Sequence, residues 1–234
     1  MATYAAMVEI MDEGIGQLVE AIDKKGMLDN TVFLFMSDNG ATSEGGFINQ
    51  LRADLSNTPY RSYKQWCLQG GTSSPFIVTF GDKAKNRLKG QICDQTAHII
   101  DVLPTCMDLA GMDYPAAFRH ADLPGESLMP AIEGGELQPR TLYFEHQGSC
   151  AVIDGDWKLV RYDRDEAWQL IDLSTDPFET NDLSQKYPEK VEELEAKWVA
   201  WGNANKVFPL EDKPWQKRID FYLQKNPDQS GVER

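Results

Sequence analysis

No run of apolar residues approaches the ~20 needed to cross a bilayer, so a membrane-spanning helix is excluded. Basic charge is also in short supply. The 234 residues carry 23 Lys and Arg against 37 Asp and Glu, a formal net charge of −14. A surface of that sign repels phosphate backbones and anionic lipid, so neither nucleic acid nor membrane is an expected partner. Cysteine is sparse, and Cys67, Cys93, Cys106 and Cys150 are scattered without zinc-type spacing. They read as buried free thiols, with disulfides as the alternative. The N-terminus, Met1-Ala2-Thr3-Tyr4, has no basic stretch leading into an apolar one, so no signal peptide is read and the compartment stays open. Internal repeats and low-complexity segments are absent too. What remains is ordinary: 41% hydrophobic and 26% charged residues, as in a globular protein with a sizeable core.

The first half of the chain has α/β character. Tyr4, Met7, Val8, Met11, Ile15, Leu18, Val19 and Ile22 recur at three- and four-residue steps, which predicts a long amphipathic helix ending near Gly26. Residues 31–36 and 75–80 are apolar on both faces, and each reads as a buried strand of a parallel sheet. Between them, Gly40 to Ser73 shows no sustained period, and a loop of that length inside a compact domain is usually functional. Asp94 to Ala110 reads as a helix with Ile99, Val102, Leu103, Cys106 and Leu109 toward the core and Gly111 as its stop. Pro104 marks a kink or break in it.

From about Pro139 the pattern changes to short strand-like runs at 141–145, 150–153, 157–162 and 168–173, with Asp154-Gly155 as a two-residue hairpin signal. A helix follows, with Pro188 in its first turn and Val191, Leu194, Trp198 and Trp201 on one face. The expected division is therefore residues 1–137 as the C-terminal portion of an α/β domain, and 138–234 as a small antiparallel sheet with one covering helix and a tail.

Ser37-Asp38-Asn39-Gly40 directly follows a strand, where open α/β sheets place their ligands. Asp38 offers a carboxylate and Asn39 an amide oxygen, both hard donors suited to Ca²⁺ or Mg²⁺, although Asp-Asn-Gly is equally good turn chemistry. Lys64 lies in the loop ahead of Gly70-Gly71 and is placed to hold a transferring sulfuryl or phosphoryl group, with Arg61 a weaker candidate. His146 ends a strand-like run and is a minor candidate for the rim of a substrate cleft. His98 reads as a helix-positioning residue, and His120 as solvated beside Arg119 and Asp122. Asp154-Gly155-Asp156 lacks the further ligands of a calcium loop and reads as a turn.

Taken in order, these pieces resemble the sulfatase family, specifically bacterial arylsulfatases. The matching segments are Tyr4-Ala5-Ala6-Met7-Val8-Glu9, Asp29-Asn30-Thr31, Ser37-Asp38-Asn39-Gly40, Lys64 before Gly70-Gly71, and His98 through Thr105. They continue with Gly125-Glu126-Ser127-Leu128, Phe144-Glu145-His146, Asp154 through Val160, Asp172-Leu173 and Asp176-Pro177. The resemblance runs from residue 4 to about 205. It implies an alkaline-phosphatase-like fold, a Ca²⁺ held partly by Asp38 and Asn39, Lys64 on the sulfate group, and a small-molecule sulfate ester as substrate.

The family's nucleophile, a formylglycine made from the Cys or Ser of a Cys/Ser-x-Pro-x-Arg motif, has no counterpart among the four cysteines; Cys67, for one, is followed by Leu68-Gln69-Gly70. The paired N-terminal aspartates and the catalytic-histidine stretch of the family are likewise unmatched. By that template the chain begins partway through the large domain and is expected to be inert by itself. Its exposed core surface would favour oligomers. The rival readings are a phosphate or phosphonate ester hydrolase of the same superfamily, and a truncated, non-catalytic binding module.

Overall fold

The structure, a computed structural model, describes residues 2–43, 50–81, 90–112, 124–208 and 210. In chain order its elements are α1 (Ala2–Lys24), β1 (Val32–Met36), α2 (Gln50–Asn57), α3 (Gln69–Thr72), β2 (Phe76–Phe80), α4 (Val102–Leu109), α5 (Met129–Ile132), β3 (Thr141–His146), β4 (Ser149–Asp154), β5 (Trp157–Arg161), β6 (Gln169–Asp172) and α6 (Pro188–Ala204). The chain divides into two units. Residues 1–38 and 75–138 make the first, and residues 39–74 and 139–234 the second. His120 and the tail from 211 onward lie outside the described residues. Among the described residues no helix is long and apolar enough to cross a membrane.

In the first unit α1 forms where the three/four periodicity places it, and Gly26 ends it with a φ of +67° that L side chains rarely adopt. Its apolar stripe is open to solvent, with Met7 64% and Leu18 57% exposed. The strands 32–36 and 76–80 form as expected but pair antiparallel, Val32 opposite Phe80 and Met36 opposite Phe76. This corrects the parallel reading. Apolar residues on both faces report cover on both sides of a strand, and carry no information about the direction of its neighbour. The cover is itself incomplete, since Ile77 is 56% exposed.

The helix expected over 94–110 starts eight residues later, because His98 and Asp101 set its beginning. The His98 Nδ1 accepts from the Ile100 N–H at 3.2 Å, and an Asp101 carboxylate oxygen accepts from the His98 N–H at 2.7 Å, a reciprocal cap. Pro104 then falls in the first turn of α4, where its missing N–H is harmless, and no break results. The buried face differs from the expected one. Asp101 and Thr105 are inside, whereas Ile99, Leu103 and Cys106 are exposed. Asp101 and Thr105 spend their oxygens on the 126–128 segment, accepting from Glu126 N–H at 3.0 Å and Leu128 N–H at 2.9 Å.

In the second unit β3-β4-β5-β6 form an antiparallel meander in that order. The β4–β5 turn is Gly155-Asp156, with Asp154 opposite Trp157 and Gly155 at φ +59°. Period-two alternation divides the sheet between two cores. Cys150, Val152, Leu159 and Leu170 pack against Leu194 and Trp198 of α6. The alternate residues Ala151, Val160 and Ile171 pack against Cys67 and Leu68, from the segment that precedes α3. The stretch 40–73 is therefore not a structureless loop. It contains α2, whose sequence buries only Ala53 and so shows little apolar period.

Lys197 fastens α6 to the β4 end, its Nζ 2.6 Å from Asp154 and 3.0 Å from Glu193. The Lys197 hydrogen bond holds the Asp154 carboxyl below its usual value, with Thr141 adding a second bond. Because the folded-state pKa is the lower one, the ionised form favours the fold. That contribution is present above about pH 4 and is lost as pH falls through the folded value. With Lys197 38% exposed, screening keeps it small. Asp154→Asn should lower stability by no more than about 1 kcal/mol at pH 7 and by progressively less as pH is taken below about 4. Thermal unfolding across that range checks this, and an equal loss throughout would remove the charge from the explanation.

Candidate functional site

Two loops of the second unit are laced together by backbone groups. The Gly40 N–H donates to the Gly71 carbonyl at 3.1 Å, and the Lys64 N–H to the Ala41 carbonyl at 2.8 Å. The Gly70 N–H closes back onto the Arg61 carbonyl at 2.8 Å. At the centre is Asn57, the last residue of α2. Its Nδ2 donates to the carbonyls of Ser62 (2.9 Å) and Gly70 (2.8 Å), and its Oδ1 accepts from the Ala41 N–H at 3.1 Å. One amide side chain thus satisfies three backbone groups that no regular element serves.

Such approach leaves no room for side chains. A Cβ on Gly40 would overlap the Gly70 carbonyl, and one on Gly70 would overlap those of Arg61 and Ser62. Glycine is required at both positions by backbone proximity, with no special φ involved.

Of the residues singled out in the sequence, Asn39 and Lys64 come onto this laced pair of loops, and both are half-buried. Asp38 is exposed and precedes Asn39 in the chain, being the last residue of the first unit's opening segment. Their oxygens are hard donors of the kind calcium prefers, but two ligands are too few for an ion that takes six to eight. Among the described residues no three His, Cys, Asp or Glu side chains gather as a metal-binding group.

His146 ends β3, is exposed, and stands opposite Ser149 in the β3–β4 register. The Ser149 Oγ accepts from the Cys67 N–H at 3.0 Å, so the strand end bearing His146 abuts the same loop three residues past Lys64. Arg61 turns away to the sheet: its guanidinium bonds the Glu179 carbonyl and Gln169 Oε1 and lies 5.7 Å from the Tyr162 ring centroid.

Cys67 and Cys150 are free and buried, and burial pushes their thiols up to about 12 and about 11. Thiols so far from ionisation are poor nucleophiles at neutral pH.

Sequence reasoning did not single out Asn57, Lys158 or Glu179. Lys158 and Glu179 are both 0% exposed and lie 2.8 Å apart under the Lys64 loop. Burial lowers the Lys158 pKa, and the facing Glu179 charge opposes that shift. The available clue was a lysine in the middle of an otherwise apolar strand, Trp157-Lys158-Leu159-Val160.

Comparison with known proteins identifies the family. The Sulfatase family profile matches residues 1–112, and that of the C-terminal region of N-sulphoglucosamine sulphohydrolase matches residues 62–200, more than half of the chain. An uncharacterised sulfatase of Schizosaccharomyces pombe is 28% identical over 86% of this chain and 43% of its own length. Arylsulfatase K of Xenopus laevis is 28% identical over 84% of this chain and 36% of its own. The crystal structure of Ps i-CgsB aligns with a TM-score of 0.74 and 26% identity, over 96% of this chain and 48% of that one. The chain thus spans less than half the length of these relatives. Its fold is that of the C-terminal part of an alkaline-phosphatase-like domain followed by a small antiparallel sheet and helix, and the chain belongs to the sulfatase family.

Proposed function

We propose that this chain is the C-terminal part of an arylsulfatase-type sulfuric ester hydrolase acting on a small-molecule sulfate ester. The observation that carries the reading is the lacing of the Asn39–Ala41 turn to the Lys64 loop, in a chain of this family. Asp38 and Asn39 supply part of a calcium site, whose remaining ligands come from outside this sequence. The ion, when bound, neutralises charge on the sulfate oxygens. Lys64 sits on a backbone that glycine contacts and Asn57 hold in place, and its ammonium group supports the bridging oxygen as negative charge builds there. His146 lines the rim of the substrate cleft. The formylglycine nucleophile is expected upstream, and on its own the chain is catalytically inert.

The test compares the 234-residue chain with the protein expressed from its complete reading frame, on matched aryl sulfate and aryl phosphate esters, with and without calcium chelation. The complete protein should cleave the sulfate ester, lose that activity on chelation, and lose at least about a hundredfold in kcat as Lys64→Ala. The chain alone should show no turnover. Cleavage by the chain alone that Lys64→Ala abolishes overturns the reading of the chain as inert, and a preference of the complete protein for the phosphate ester overturns the sulfatase reading.

The uncovered apolar stripe of α1 favours self-association of the isolated chain. Light scattering should give a mass above that of a monomer, and a monodisperse monomer at high concentration would refute this.

A further inference from the structure

The Lys158–Glu179 pair has no part in the chemistry just described, yet each of its polar contacts falls on the segment that carries Lys64 or on the strand beneath it. Glu179 Oε1 lies 2.8 Å from Lys158 Nζ, and Glu179 Oε2 accepts from the Gln69 N–H at 2.8 Å. Lys158 Nζ donates in turn to Gln69 Oε1 at 3.0 Å. The Glu179 carbonyl accepts from the Arg61 guanidinium. Arg61 is three residues before Lys64 and Gln69 five residues after it, so one glutamate holds the segment on both sides. Between these holds, Ser149 grips Cys67, accepting its N–H at 3.0 Å and, through the carbonyl, its thiol at 3.3 Å. Glu179 itself has a φ of +57°, a backbone conformation that a non-glycine residue keeps only where its surroundings enforce it.

An ion pair this deeply buried is a poor device for stability, because an apolar pair of the same volume commonly does as well. Its distinguishing property is direction. The carboxylate needs donors and the ammonium needs acceptors, and here those partners are the N–H and the side-chain oxygen of Gln69, while Arg61 is held by the main-chain carbonyl of Glu179.

We propose that Lys158 and Glu179 are positioning residues that hold the 61–69 segment on both sides and so fix where Lys64 is presented. The catalytic consequence rests on the function proposed above; the anchoring does not.

The test uses Lys158→Met/Glu179→Leu, which keeps volume and removes the charges together, and Gln69→Ala, which leaves the ion pair in place. Amide exchange over residues 61–72 is read on the 234-residue chain, and kcat and KM for an aryl sulfate on the protein from its complete reading frame. The double variant is expected to melt within a few degrees of the parent and to exchange at 61–72 at least tenfold faster. Its kcat should fall at least tenfold, with KM changing less. Gln69→Ala should move in the same direction by a smaller factor, and it carries the test by itself if the double variant does not fold. Parental exchange rates at 61–72 overturn the proposal, and so do faster exchange with parental kcat. If the complete parent cleaves no sulfate ester, the functional reading fails, and the exchange rates alone decide the anchoring.

Discussion

Replacing Trp198 by alanine should lower the stability of the second unit by about 3–5 kcal/mol, the range for deleting a large buried aromatic side chain. Trp198 is 1% exposed and sits where α6 meets the sheet. Its ring meets Trp168 edge-on at 5.8 Å and Phe208 at 5.4 Å with an interplanar angle of 87°, and tilts against Trp201 at 6.3 Å. Such aromatic pairs add to the apolar burial itself. The Arg161 guanidinium, 4.3 Å from the Trp168 centroid and 5.6 Å from that of Trp198, would lose one of its two aromatic faces. Trp198→Phe separates the contributions. It keeps a ring in the core and gives up the Nε1 bond to the Phe144 carbonyl at 3.3 Å, which is worth about 1 kcal/mol. Urea unfolding of the two variants checks this, and a loss below about 1 kcal/mol for the alanine variant would mean that Trp198 is not central to this core.

A loss of the same size, about 3–5 kcal/mol, is expected for Glu179→Ala, by another route. The glutamate is not the source of that energy. Its removal leaves the Lys158 ammonium in a fully buried place with Gln69 as its remaining listener, and an uncompensated buried charge is what destabilises. The pH dependence identifies the cause. Burial already lowers the Lys158 pKa, and losing Glu179 removes the interaction that opposes this. In the variant the unfolded chain therefore binds more protons than the folded one between the depressed value and about 10.4, and stability rises with pH across that window. The deficit relative to the parent should shrink in denaturant unfolding as pH rises from the variant's Lys158 value to the parent's higher one, and stay level above that. Adding Lys158→Met to Glu179→Ala should recover most of it at pH 7. A pH-independent deficit that Lys158→Met does not relieve would assign the loss to packing around residue 179.

These two side chains also mark the limit of what the sequence could reveal. The small sheet and α6 were legible because short strand-like runs are set off by turns, Asp154-Gly155 among them, and Pro188 marks the helix start, all signals contained in a few neighbouring positions. Asp38, Asn39 and Lys64 were picked out as candidates in the same way, as short motifs in order. Three features were not. The direction of the β1–β2 pairing leaves no mark in strands that are apolar on both faces. The helix α2 hides because Gln50–Asn57 buries one alanine. The anchors of the Lys64 loop join residues 61, 67 and 69 to 149, 158 and 179, separations at which no spacing rule operates. A lysine amid apolar strand residues shows that some acid must lie opposite, but not which one.

The segment 39–74 belongs with residues 139–234, although residues 75–138 come between them in the chain. On the ribosome this order matters. When residue 74 emerges, the stretch bearing Lys64 has none of its floor: Ser149, Lys158, Ile171 and Glu179 are still to be translated. The laced loops must wait for roughly a hundred more residues, or some 5–20 seconds of synthesis at bacterial-to-eukaryotic rates, before their lasting contacts exist. Closing so long a gap depends on the β4–β5 hairpin, whose own contacts are local and form fast. The C-terminal sheet is thus the late-arriving mould on which an early-made loop is cast.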